Sequence, residues 1–204
     1  RQHMVYPDNP FFLYFALGAG HAPHQAPKEY IDHYKGAFDA GWDEIREQWF
    51  ENQKRLGVVP EDTVLNPRNE FVKPWNDLTD DEKKVYAKYM EVYAGFLEHA
   101  DAQIGKVVDY LKEFENTVIV LLSDNGASAE GGKNGRVNQE KSLNLLEETN
   151  NVELTLKHLE ELGSSTYSNP HYPVGWANAG NTPFQWYKSW VHSGGVKDPL
   201  IVSY

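Results

Sequence analysis

Thr117-Val118-Ile119-Val120-Leu121-Leu122-Ser123-Asp124-Asn125-Gly126 is the stretch on which the reading of the chain turns. Its apolar half is uninterrupted and rich in β-branched residues, the pattern of a strand buried on both faces as in parallel sheets. Polar residues then stop it at once. In open α/β sheets, ligands collect at the carboxyl ends of strands, so Asp124 and Asn125 stand where chemistry is expected.

Upstream, Thr79 reads as an N-cap followed by Asp80, Asp81 and Glu82, which suit the positive end of a helix. Val85, Tyr89, Val92, Phe96, Ile104, Val107, Val108 and Leu111 continue as a helical stripe to about Lys112. Gly95 and Gly105 interrupt it, as close packing or a bend would require. Earlier still, Phe11 to Leu17 is a second apolar run, between Pro10 and Gly18, and predicts a second buried strand. Strand, long helix, strand is the grammar of a parallel α/β sheet. Between them, Pro27 opens a short helix through Tyr34, and Trp42, Ile45 and Trp49-Phe50 predict a helix over 42–55.

Downstream, Gly131, Gly132 and Gly135 predict a flexible loop, and the leucines from Leu143 to Leu162 an amphipathic helix. Together they make residues 127–170 a helical or loop insertion in a single unit spanning 1–204. A short helix is expected from Asn181-Thr182-Pro183 through Lys188 and Trp190, then a Gly194-Gly195 turn and a last apolar run, Pro199 to Tyr204. Both termini fall where an expected domain would continue, so the chain reads as part of a longer one.

Of 204 residues, 19 are Lys or Arg and 30 are Asp or Glu, a net charge of −11 that argues against a nucleic-acid partner. It does not exclude an anionic substrate, which needs only a local cationic pocket. There is no cysteine, hence no disulfide, zinc-thiolate site or cysteine nucleophile within these residues. No stretch approaches the roughly 20 apolar residues of a membrane-spanning helix. Walker, Gly-x-Ser-x-Gly and His-Glu-x-x-His motifs are absent.

Asp124 and Asn125 offer oxygen ligands, which suit Ca²⁺ and, second, Mg²⁺. The same residues with Gly126 equally make a turn. His21 and His24 flank a proline on a loop; either could donate to a leaving oxygen or bind an anion, or simply be exposed. Lys188, among Phe184, Trp186 and Tyr187, reads either as a point charge for sulfate or phosphate or as a lysine lying over rings.

Taken in order, several segments resemble the sulfatase family, in particular bacterial arylsulfatases of the alkaline-phosphatase superfamily. They are 10–16 leading into His21-Ala22-Pro23-His24, Phe38 to Trp42, Met90 to His99, Ser123 to Ser128, Ala179 to Phe184, and Gly194-Gly195-Val196. The resemblance implies an alkaline-phosphatase-like α/β fold, a three-layer sandwich around a mostly parallel sheet, here incomplete. It implies Ca²⁺ on Asp124 and Asn125, sulfate contacts from His21 and Lys188, and a sulfate-ester small molecule or sulfated carbohydrate as substrate. His24 matches no catalytic position. The family's formylglycine arises from Cys/Ser-x-Pro-x-Arg, which this sequence lacks, along with the paired aspartates and upstream Lys and His. These belong to missing segments of the same polypeptide, and the isolated chain is expected to be inactive. Lys197 replaces a usual Arg. Many relatives are periplasmic or secreted. A phosphodiesterase or phosphonate hydrolase of the same superfamily, or a non-catalytic module on this fold, stays open as an alternative.

Overall fold

A computed structural model describes Val5, residues 8–112, 116–140, Asn144 and residues 152–204. Its helices are α1 (Lys28–His33), α2 (Gly41–Arg55), α3 (Asp80–Leu111), α4 (Val152–Lys157), α5 (Val174–Gly180) and α6 (Ser193–Val196), and its strands β1 (Ile119–Leu122) and β2 (Leu200–Ser203). Single 3₁₀ turns cover Trp75–Asp77 and Leu159–Glu161.

The expected start of α3 is realised as a full capping box. The Glu82 backbone N–H donates to Thr79 Oγ1 at 3.2 Å, and the Thr79 N–H donates to Glu82 Oε2 at 2.8 Å. Two otherwise orphaned donors are thus satisfied reciprocally. Val85, Tyr86, Tyr89 and Val92 are almost fully buried, whereas the stripe from Ile104 to Leu111 is only half covered. Gly95 is a packing glycine: a Cβ there would sit 2.8 Å from the Ile31 backbone, so its absence lets α1 lie against α3. Gly105 has open space around it.

The centre of the core is aromatic. Trp42 of α2 meets Trp75 and Trp176 edge-on, with centroids 4.8 and 5.9 Å apart, and stacks on Tyr86 at 5.7 Å. Both buried indoles find acceptors: Trp42 Nε1 donates to Lys73 O at 3.1 Å and Trp176 Nε1 to Tyr86 O at 2.7 Å. Burying such rings is strongly favourable only with the N–H satisfied. Gly175 makes room for Trp42, since a Cβ would lie 2.5 Å from the indole.

Five expectations need correction. Residues 11–17 form no regular strand, and Phe12 and Tyr14 are 91% and 81% exposed. The sheet of the described residues holds only β1 and β2, which pair antiparallel with Leu122 opposite Leu200, so β1 has no parallel partner there. β1 is also not buried: Val120, Leu121 and Leu122 are exposed, because a two-stranded ribbon with no covering layer presents both faces to solvent. The terminal apolar run does form a strand, β2, as its composition predicts. No helix forms over 181–190, which instead runs as consecutive turns; Trp186 and Ser189 lie at φ 64° and 78°, incompatible with a right-handed helix. The segment just before it supplies α5.

The loop at Gly131 to Gly135 is packed rather than open. Arg136 and His171 bridge antiparallel, and the Gln139 N–H donates to Asn169 O at 2.7 Å. A Cβ on Gly135 would meet Tyr89 at 2.8 Å. Of the expected helix over 143–162, α4 and the turn at Leu159–Glu161 are seen; residues 143 and 145–151 lie outside the described residues. No helix of the described residues is long and apolar enough to cross a membrane.

Candidate functional site

β1 ends at Leu122, and Ser123-Asp124-Asn125-Gly126 turns away from it as the sequence predicts. The turn is strapped to the segment before β2. Ser123 N donates to Pro199 O at 3.3 Å and Gly126 N to Gly195 O at 3.3 Å. A Cβ on Gly126 would overlap the Gly194 carbonyl oxygen, so only glycine permits this approach. Gly194 and Gly195 are required for the same reason, because any Cβ would strike the Trp186 and Trp190 carbonyls respectively.

Asn181 clamps the next step. Its Oδ1 accepts from Ala127 N at 2.9 Å and its Nδ2 donates to Trp186 O at 2.9 Å. Lys188 N then donates to Ala127 O at 3.0 Å. Trp186 stacks on Trp190 at 4.2 Å. Lys188 therefore sits on a loop with two non-glycine residues in the left-handed region, held there by a clamp on one side and a ring stack on the other. Such strain persists only where surroundings over-determine it, and it gathers at functional sites.

His21 reaches this loop from the other end of the chain. His24, three residues on, is its anchor: it is buried among Tyr93, Phe96, His171 and Tyr172, and its backbone N–H donates to Pro170 O at 2.9 Å. Burial, then the nearby His171 and His21, hold the His24 imidazole well below the ordinary histidine range. His24 is thus a neutral packing residue.

Lys188 Nζ lies 3.1 Å from His21 Nε2 and 3.2 Å from Glu130 Oε1, and Glu130 Oε2 lies 3.6 Å from His21 Nε2. His21 Nδ1 is 2.7 Å from Ala22 O. That pattern assigns the tautomer: Nδ1–H donates to the carbonyl, and the Nε2 lone pair accepts from the ammonium. Partial burial alone would raise the Glu130 carboxyl. The Lys188 hydrogen bond and charge, and then His21, outweigh it and hold Glu130 below the usual glutamate range.

Beneath this cluster, His171 is fully buried; its Nε2 lies 3.0 Å from Ser128 Oγ and its Nδ1 3.0 Å from Tyr172 O. The neutral form with Nδ1–H donating to Tyr172 O and Ser128 donating to Nε2 satisfies both nitrogens. Burial pushes His171 down to about 4, with His21 and Lys188 adding to the effect against Tyr172 O and Glu130.

The four sequence-predicted residues therefore fall into two pairs. His21 and Lys188, 167 positions apart, are brought together. Asp124 and Asn125 lie on the connected loop, with no ion pair or hydrogen bond to the first pair among the described residues. Asn125 Nδ2 donates to Gly126 O at 3.1 Å, while Asp124 is exposed. Asp198 is close enough that its carboxyl is raised, by burial first and then by the Asp124 charge. The oxygen donors fit a hard divalent cation in kind. They do not fit in number: among the described residues no group of three or more His, Cys, Asp or Glu gathers for a metal.

Sequence reasoning missed Glu130, Ser128, His171 and Asn181. Glu130 carried a legible signal, as a carboxylate six residues past Asp124 on the same loop. Asn181 and His171 carried none, because their roles depend on long-range contacts.

Comparison with known proteins agrees with the ordered motifs. The sulfatase family matches residues 5–204. The chain is 37% identical over 198 residues to an uncharacterized sulfatase of Schizosaccharomyces pombe, covering 95% of this chain and 34% of that protein. It is 33% identical over 200 residues to an arylsulfatase of Klebsiella aerogenes, covering 96% of this chain and 40% of that protein. The chain thus spans well under half the length of either relative, and it belongs to the sulfatase family.

Proposed function

We propose that this chain supplies part of the catalytic domain of a sulfate-ester hydrolase, with His21 and Lys188 as sulfate-binding groups and Asp124 and Asn125 as ligands of a Ca²⁺ ion. The convergence of His21 and Lys188 at 3.1 Å, on a loop braced to the Asp124 turn in a sulfatase-family chain, carries the reading. The relatives named above are a sulfatase and an arylsulfatase, and an aryl sulfate or sulfated carbohydrate is the substrate class proposed here.

Lys188 donates to a sulfuryl oxygen and offsets charge that grows as the ester bond breaks. His21, with Nδ1–H fixed on Ala22 O, donates a hydrogen bond from Nε2 to the ester or sulfuryl oxygen in its imidazolium form. A cation bound at Asp124 and Asn125 would supply Lewis-acid polarisation and a template for the sulfate. The remaining ligands and a formylglycine nucleophile are assigned to other parts of a longer polypeptide, which completes the three-layer sandwich over the exposed faces of β1 and β2. Supporting this, Leu122, Leu200 and Ile201 are 60%, 63% and 59% exposed, apolar area that a further layer would cover.

A substrate panel on the polypeptide encoded by the parent gene tests the reading. Turnover of a nitrophenyl sulfate well above that of phosphate diesters and phosphonate esters is expected. Preference for the phosphorus esters favours the superfamily alternative, and no turnover of any ester favours a binding module.

A further inference from the structure

Glu130 is not explained by sulfate binding alone. A carboxylate placed against the Lys188 ammonium of an anion site repels the anion the site is meant to hold. We propose that Glu130 is a displaceable counterion: its two carboxylate oxygens occupy the positions of two sulfate oxygens on Lys188 and His21 until substrate drives them out. This rests on the reading of His21 and Lys188 given above and extends it to a residue with a gating role.

Three observations carry it. First, one Glu130 oxygen lies 3.2 Å from Lys188 Nζ and the other 3.6 Å from His21 Nε2, within ion-pair range once His21 takes its proton. A sulfate group would present its oxygens to the same two nitrogens. Second, the base of Glu130 is fixed while its head is exposed. Its backbone N–H donates to Ser128 Oγ at 3.3 Å, and its carbonyl accepts from Arg136 Nε at 3.2 Å. Ser128 is held in turn by the buried His171. The side chain is 44% exposed, so it can swing into solvent without breaking its anchor. Third, Lys188 is 21% exposed on a strained, clamped loop, so the cation stays in place when the counterion leaves. The Glu130 carboxylate thus keeps a half-buried ammonium neutralised in the resting state and raises the threshold for weakly held anions.

The test is calorimetric titration of the 204-residue chain with inorganic sulfate, for the wild type, Glu130→Gln, Lys188→Gln and the double variant, with circular dichroism confirming equal folding. Glu130→Gln is expected to tighten sulfate binding about threefold to tenfold, the worth of one or two partly exposed ion pairs. Lys188→Gln weakens it, and in the double variant the gain from Glu130→Gln is largely lost, a coupling that a purely structural role would not produce. Glu130→Ala serves as the second variant if Glu130→Gln folds poorly, with the same expectation. Sulfate binding that depends on Lys188 but is unchanged or weakened by Glu130→Gln overturns the counterion role alone. Absence of sulfate binding in all four proteins, or binding indifferent to Lys188, overturns the anion-site reading along with it.

Discussion

Acid should weaken this protein first through a residue beneath the site. His171 is fully buried and sits at about 4 in the folded chain, against an ordinary value of 6.5. Its pKa is depressed on folding, so the unfolded chain binds the extra proton and the folded one resists it. Stability is therefore fully present above about pH 6.5 and is lost as pH falls toward about 4. At a pH of about 5 the difference in proton binding costs about 2 kcal/mol, approaching roughly 3 kcal/mol below pH 4. His24, pushed down by burial and by His171, acts in the same direction. The assay is urea unfolding at pH of about 7.5 and 5, comparing the wild type with His171→Gln, which cannot take up the proton. The variant starts less stable because it loses the ring packing, but its further loss at pH 5 should be smaller by about 2 kcal/mol. Parallel pH dependence in the two proteins, or an NMR titration placing folded His171 near 6.5, would refute the reasoning.

Other expectations follow from single contacts. Thr79→Ala removes one half of the capping box and strands Glu82, and should cost about 1 kcal/mol by urea midpoint. Gly126→Ala drives a methyl into the Gly194 carbonyl, so the Asp124 turn and the Gly194 segment must part; a loss of about 1–3 kcal/mol is expected in the same assay. The isolated chain should show no turnover of an aryl sulfate and only weak Ca²⁺ binding, because two oxygen ligands are too few. Submicromolar affinity by calorimetry, abolished in Asp124→Ala, would contradict that.

What was legible in the sequence was local. The capping signal at Thr79, the 3.6-residue stripe of α3, the glycine at position 95 and the β-branched run of β1 each encode their own geometry over a few residues. The fate of Phe11 to Leu17 was not encoded in that way. An apolar run becomes a buried strand only if neighbours exist on both sides, and the same residues stand exposed without them. β1 shows the same limit, correctly read as a strand and wrongly as a buried one. At positions 181–190 the helical spacing misled because Asn181 makes two loop-bridging hydrogen bonds that fix the backbone in another path. In the candidate site, the ordered motifs singled out His21 and Lys188, and the fold brings the two within 3.1 Å. Glu130 was marked only by its place six residues past Asp124, and its role takes shape with the 3.2 Å contact to Lys188.

The most direct test of the central claim is kcat/KM for an aryl sulfate in the parent polypeptide, wild type against Lys188→Ala. Loss of a charge-stabilising donor in the transition state predicts a fall of about 100-fold or more. Activity within about threefold of the wild type, less than about 1 kcal/mol, would contradict the assignment of Lys188 and of the site built around it.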